Sequence, residues 1–256
     1  FTKGICLVGD RACNKLQKYH LTNRINRNYK KFVSIYDDKF SFVKDFGKIQ
    51  IFKKKEKCYQ VSMFRHIDYA YNIDNFTPKK VLEIGGGYGP VPYYLYKFFS
   101  FKGNYIICDL PEMLLISYIF LKQSLPDVNI VFGLPNQKSE NTINLIFPQE
   151  CENIEKDFID LTLNAHSLTE MDQEVFDYYL SIINKVTNKV FLSYNHDSEY
   201  EYWDNKNKIK KKHNSFSSLS TQNQLKKKFK LSSKKKEKFM EGMNFKIDYY
   251  EYVYTK

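Results

Sequence analysis

The sequence predicts an α/β fold: a doubly wound, mostly parallel sheet with helices on both faces and an N-terminal helical cap ahead of it. Three observations predict it. From Lys80 onward, short apolar runs alternate with segments of helical periodicity. The first run ends in the turn Gly85-Gly86-Gly87-Tyr88-Gly89 and the second in an acid, Asp109. The 256 residues, 43% of them hydrophobic, can bury one such layer but not two large domains.

Residues 1–76 mix basic and aromatic side chains, with Val61, Phe64 and Tyr71 at helical spacing, and are expected to form a mainly helical cap. Residues 77–256 are expected to form the sheet domain. Strands are predicted at 81–84, 105–108, 129–132, 158–163 and 190–194, with helices at 92–99, from Pro111, and at 172–186. Proline opens the second helix at no cost, because a first turn leaves its N–H unbonded anyway. In the long helix Val175, Phe176, Tyr179, Leu180 and Ile183 share a face. Strands separated by helices of this length require right-handed crossovers, which place a ligand site at the carboxyl ends of the strands. Between about 205 and 238 the chain is rich in Lys, Ser and Asn, with Phe216, Leu219 and Leu225 as scattered apolar residues, and predicts a surface insertion or mobile lid. The alternation of Phe245, Ile247 and Tyr249 predicts a final strand at 244–254.

Glycines after the first strand allow a sharp turn with backbone angles other residues resist, and leave room for a ligand against the main chain. The spacing narrows the choice of ligand. A dinucleotide fingerprint read from Gly85 needs a glycine where Pro90 stands, and no Gly-Lys-Ser/Thr follows to make a phosphate loop. What is present is acid-x-G-x-G-x-G, from Glu83 through Gly85, Gly87 and Gly89. Asp109 lies 20 residues beyond Gly89, a separation that brings a carboxylate beside the turn to accept from both hydroxyls of an adenosine ribose. Capping of the helix after Pro111 is the competing role for Asp109. The unit is Rossmann-like.

Glu83-Ile-Gly-Gly-Gly-Tyr-Gly89, Asp109-Leu-Pro-Glu112 and Asn164-Ala-His-Ser-Leu-Thr-Glu-Met171 together resemble the bacterial sugar O-methyltransferases, a branch of the class I S-adenosylmethionine-dependent enzymes. The resemblance spans about residues 80–200. It implies S-adenosyl-L-methionine as cofactor, held by Glu83, Gly85, Gly86, Gly87, Tyr88, Gly89, Asp109, Leu110 and Asn164. It also implies a glycan or small-molecule acceptor, such as a nucleotide sugar, in surface-glycan biosynthesis.

Methyl transfer is an in-line displacement, so positioning dominates, yet a sugar hydroxyl is a poor nucleophile and gains from a base. Asn164, His166 and Ser167 follow the fourth predicted strand and fall beside the expected methyl position. His166 is the candidate base, since imidazole ordinarily titrates near pH 6.5. Glu170 is the second catalytic candidate, although Ser167 to Glu170 also has the spacing of a capping box. Tyr88 either covers the cofactor or packs on the cap. His196 and Asp197 are read as loop residues, and His20, His66 and His213 as surface residues; no short ligand motif supports a metal.

The balance of 40 Lys and Arg against 29 Asp and Glu gives +11, but the lysines recur in unstructured-looking segments, and nucleic acid is not the expected partner. Five scattered cysteines without a CxxC pair argue against a disulfide framework and for a reducing, cytoplasmic setting. No apolar run is long enough to span a bilayer. The chain opens on Phe1, so a truncated N-terminus is expected. The competing functions are a protein or nucleic-acid methyltransferase and a non-catalytic polyanion-binding protein.

Overall fold

The computed structural model describes residues 15–36, 39–40, 52–54, 57–60, 62–136, 140–198, 200–204, 209–213, 215–239 and 248–256. The chain begins with α1 (Lys15–Val33), the hairpin of β1 (Phe52–Lys54) and β2 (Lys57–Tyr59), and α2 (Met63–Asp74). There follow β3 (Lys80–Ile84), α3 (Pro90–Phe98), β4 (Asn104–Cys108), α4 (Pro111–Ser124), β5 (Asn129–Phe132), β6 (Thr142–Ile146) and β7 (Ile159–Ala165). The remaining elements are α5 (Gln173–Val186), β8 (Thr187–His196), a hairpin of β9 (Tyr200–Asp204) and β10 (Ile209–His213), α6 (Leu219–Leu225), β11 (Lys230–Lys236) and β12 (Tyr249–Thr255).

Eight strands form one sheet in the order β11-β12-β8-β7-β3-β4-β6-β5. From β8 to β5 they run parallel, whereas β12 is antiparallel to both of its neighbours. The alternation of side chains along the central strands sends them into two cores. Val81, Tyr105 and Ile107 pack with Met63, Tyr93 and Phe120 from α2, α3 and α4. Leu82, Ile84, Ile106 and Cys108 pack on the opposite face with Phe176, Leu180 and Ile183 of α5. Parallel strands covered on both faces must be apolar throughout, and every residue of β4 is buried. Pro90 and Pro111 occupy the first turns of α3 and α4. Val175, expected on the buried face of α5, is exposed. Helices α1 and α2 join the first core through Ile25, Phe32, Phe64 and Ile67. Among the described residues no helix is long and apolar enough to cross a membrane.

Two elements differ from expectation for physical reasons. Strand β6 lies between β4 and β5, so the run at 129–132 pairs with β6 rather than with β4. Its polar Asn144 hides the strand from a periodicity count, yet that side chain accepts from Asn104 Nδ2 at 2.8 Å and donates to the Gly133 carbonyl at 2.7 Å. A satisfied amide can sit in a sheet interior. The Lys-rich stretch read as an insertion or lid contributes, in its described parts, β10, α6 and the edge strand β11, and it buries Phe216, Leu225 and Phe229 beside α5. An edge strand has one neighbour and needs no apolar alternation. Of the expected strand at 244–254, β12 covers the part from Tyr249, while Phe245 and Ile247 lie outside the described residues.

Candidate active site

The chain builds β4, β6 and β5 on one side of β3, then returns to lay β7 on the other. The connections leaving β3 and β7 therefore diverge, and a cleft opens at their carboxyl ends. Arg65, His66 and Tyr69 from α2 form one wall; Glu83, Gly85, Gly86, Gly87, Tyr88, Pro90, Val91, Ala165 and His166 form the rest. The cavity volume is about 130 Å³, smaller than the roughly 300–1,000 Å³ of most ligand sites, and the cleft is open to solvent on one side.

The glycines of the turn do different jobs. Gly85, Gly87 and Gly89 have φ of 76°, 60° and 83°, where a side chain is disfavoured. A Cβ on Gly85 would collide with Ser167, one on Gly86 would stand 2.8 Å from Ile107, and one on Gly89 would stand 2.8 Å from Leu121. Those three are small because protein packs on them. At Gly87 nothing lies within 4 Å, and the bare main chain faces the cleft.

Asp109 holds this turn in place. Its Oδ2 accepts the Gly87 N–H at 2.8 Å and its Oδ1 accepts the Leu110 N–H at 2.7 Å. Burial raises its carboxyl above the ordinary value, and these two bonds pull the other way. The acid thus binds the N-cap residue of α4 and the glycine turn at once, while α4 itself receives no side-chain cap. Leu110 itself is 59% exposed and does not line the cleft. Glu83 is buried against the turn, accepting from the Tyr105 hydroxyl at 2.9 Å. Burial pushes its carboxyl up to about 8; the Tyr105 bond opposes the rise and nearby Asp109 adds to it.

The other expected site residues divide. Asn164 is fully buried, and its amide is spent inside the protein: Nδ2 donates to the Ile84 carbonyl at 2.9 Å, and Oδ1 accepts from Asn195 at 2.8 Å and from the Leu168 N–H at 3.3 Å. It joins the ends of β3, β7 and β8, and its side chain does not line the cleft. Ser167 joins the same network through the Ile84 carbonyl and makes no cap, so the capping box is absent. Glu170 stands exposed on the 3-10 turn Leu168–Glu170, outside the cleft lining. The Tyr88 ring is 2% exposed, edge-on to Phe120 of α4 and His66 of α2, with its hydroxyl on Gln60. His196 is buried at the end of β8, edge-on to Tyr249, and Asp197 pairs with Lys234. Among the described residues no cluster of His, Cys, Asp or Glu could hold a metal ion.

His166 does reach the cleft. It adopts φ of 69° at the end of β7, a left-handed conformation that histidine tolerates better than most residues, and its N–H donates to the Tyr194 carbonyl at 2.8 Å. Its Nε2 lies 2.8 Å from the Tyr69 hydroxyl and 3.3 Å from Glu237 Oε2.

Sequence reading missed the opposing wall. His66 is buried rather than on the surface, and its Nδ1 has no hydrogen-bond partner. Arg65 and Tyr69 are four residues apart, hence on one side of α2, and that spacing was the available signal. Glu237 is a lone acid in Lys234-Lys-Lys-Glu237-Lys238, with nothing local to single it out.

No family model matches the sequence, and no curated protein matches it. Solved structures do. The chain is similar to the 1,6-didemethyltoxoflavin-N1-methyltransferase of Burkholderia thailandensis, solved with 1,6-didemethyltoxoflavin and S-adenosylhomocysteine, at 12% identity, 96% coverage of this chain, 92% of that one and a TM-score of 0.52. The magnesium protoporphyrin IX methyltransferase of Synechocystis PCC 6803, solved with S-adenosylmethionine, matches at 10% identity, 97% and 86% coverage and 0.50. The methyltransferase domain of bacterial CtHen1-C matches at 14% identity, 77% and 98% coverage and 0.53. At such identities the likeness is one of fold, and the fold of this chain is the Rossmann-like one that these methyltransferases share.

Proposed function

We propose that this chain is an S-adenosylmethionine-dependent O-methyltransferase acting on a sugar hydroxyl or a similar small polar acceptor. One observation carries the reading: the main chain at Gly87 lies bare toward the cleft, and the carboxylate of Asp109 is bonded to that same glycine. The residues fit the cofactor. Asp109 receives one backbone N–H on each oxygen, which leaves about two of a carboxylate's roughly four acceptor sites for ribose hydroxyls. Arg65 supplies a cation suited to the carboxylate of the amino-acid end, and Val91 offers apolar surface to the base. Bound there, the cofactor would supply a methyl carbon made electrophilic by its positive sulfur.

His166 then has the role of taking the acceptor's proton. Placement of an imidazole with a phenol and a carboxylate supports a hydroxyl acceptor, because a hydroxyl must shed its proton to become a good nucleophile. The sugar assignment rests on the resemblance of residues 164–171, and it extends to nucleotide sugars and surface glycans. Two measurements test the reading. Titration calorimetry with S-adenosylhomocysteine should show binding that Asp109→Ala weakens about a hundredfold, or about 3 kcal/mol. Labelled S-adenosylmethionine offered with a panel of nucleotide sugars and glycans should then transfer label. An Asp109→Ala protein of unchanged affinity removes that residue from the site, and a wild type that does not bind removes the cofactor.

A further inference from the structure

We propose that Glu237 and Tyr69 fix the tautomer of His166, so that the ring carries its hydrogen on Nε2 and keeps Nδ1 as the atom that accepts a proton from the substrate. This rests on the role of His166 proposed above.

The argument is a count of protons. Tyr69 has one hydroxyl proton and lies between two groups: it donates to Glu237 Oε1, and its oxygen is 2.8 Å from His166 Nε2. With that proton given to the carboxylate, the phenol oxygen can only accept from the ring. Nε2 must then carry hydrogen. The second carboxylate oxygen makes no hydrogen bond but lies 3.3 Å from the same Nε2, where its negative charge favours hydrogen on that nitrogen. The reverse arrangement needs a protonated Glu237, and the surroundings oppose it. Burial favours the protonated acid, but His166, Arg65 and the Tyr69 hydroxyl outweigh burial and hold the carboxyl below its ordinary value. Burial and Glu237 keep the Tyr69 phenol well above its own. Nδ1 makes no hydrogen bond among the described residues, on a side chain that lines the cleft.

The carboxylate is firmly placed. Glu237 follows directly after β11, and Lys238 and Phe239 dock on α1 and α2. Lys238 Nζ is 2.6 Å from buried Asp68 of α2, Lys31 of α1 donates to the Lys238 carbonyl at 2.7 Å, and Phe239 packs against Phe32 and Phe64. The Tyr69 ring lies 4.0 Å from Tyr194. Glu237 is thus a positioning residue acting through His166. As the acceptor oxygen bonds to the methyl carbon, the carbon–sulfur bond breaks and its electron pair stays on sulfur, cancelling the charge there. The hydroxyl proton passes to Nδ1, and the imidazolium so formed lies beside the Glu237 carboxylate.

Nitrogen-15 NMR of histidine-labelled protein tests this without turnover. The His166 signals are assigned by their loss in His166→Asn, and a protonated and an unprotonated ring nitrogen are told apart by shift. The expected neutral ring has hydrogen on Nε2, with and without S-adenosylhomocysteine; hydrogen on Nδ1 overturns the proposal. Glu237→Gln should give mixed tautomers and, with an acceptor in hand, at least tenfold lower turnover with S-adenosylhomocysteine affinity within twofold. Should that variant not fold, Tyr69→Phe serves: it leaves the Glu237 charge beside Nε2 to favour hydrogen there and should cost less turnover than His166→Asn. A pure Nε2–H tautomer that persists in Glu237→Gln, or equal losses in Tyr69→Phe and His166→Asn, overturns the proposal. Failure of the wild type to bind S-adenosylhomocysteine, with the tautomer as expected, sinks the cofactor reading and the proton-transfer role but not the tautomer assignment.

Discussion

Gly87 and Gly89 are two residues apart and both left-handed, yet they answer to different forces. A methyl group on Gly87 meets no protein atom, so Gly87→Ala costs the fold only backbone strain, about 1–2 kcal/mol, while intruding on whatever lies along the cleft. The same group on Gly89 meets Leu121 of α4 at 2.8 Å and adds overpacking of roughly 1–3 kcal/mol to a similar strain. Melting curves and calorimetry should therefore separate the two. Gly87→Ala is expected to keep most of its thermal stability and lose at least tenfold in S-adenosylhomocysteine affinity, and Gly89→Ala to lose stability first. Equal effects on both quantities would deny Gly87 its special position. The glycine turn and Asp109 were legible in the sequence because their constraint is local: a backbone angle, and a fixed separation in one βαβ unit. Asn164 was not. Its partners Ile84 and Asn195 are 80 and 31 residues away, and only the finished sheet shows that its amide has nothing left for a ligand.

At the scale of elements, β11 shows why composition misled. Lys230, Lys234, Lys235 and Lys236 stand exposed on a strand whose other edge pairs with no strand among the described residues. Charged side chains on such a strand prevent it from pairing with a second copy of itself, so lysines here are compatible with order. Lys230→Val combined with Lys235→Val should promote concentration-dependent association, read by light scattering at rising protein concentration; a monodisperse double variant would show that these lysines do not guard the edge. Strand β6 escaped for the opposite reason, since Asn144 breaks the apolar run and is excused only by Asn104 on the neighbouring strand. Helices α3, α4 and α5 were readable because prolines mark two starts and an apolar stripe marks the third.

For the molecule as a whole, the buried acid under the turn sets a pH dependence. Glu83 holds its proton in the folded state up to about pH 8, whereas the unfolded chain releases it near 4.5. Between those values the native state binds more protons, so stability declines as pH rises, by up to about 1.4 kcal/mol per unit, and levels off above about 8. Buried His66, held below its ordinary value first by burial and then by Arg65, acts in the opposite sense below pH 6.5. The contribution of Glu83 is isolated by comparison with Glu83→Gln. The melting temperature of wild type should drop more than that of the variant between pH 5 and pH 8, and parallel curves would show that the acid is ionised throughout. The general architecture was legible from the alternation of apolar runs. The pairing of the antiparallel edge was not, because it joins residues far apart in the chain.

That edge bears on how the protein is made. Strand β12 sits between β8 and β11, both of which leave the ribosome before it. A nascent chain can assemble the sheet as far as β8 while β11 waits without a neighbour for residues 249–255 to emerge. The carboxylate facing His166 hangs from that waiting strand, so the contact between Glu237 and His166 depends on the last strand to be synthesised.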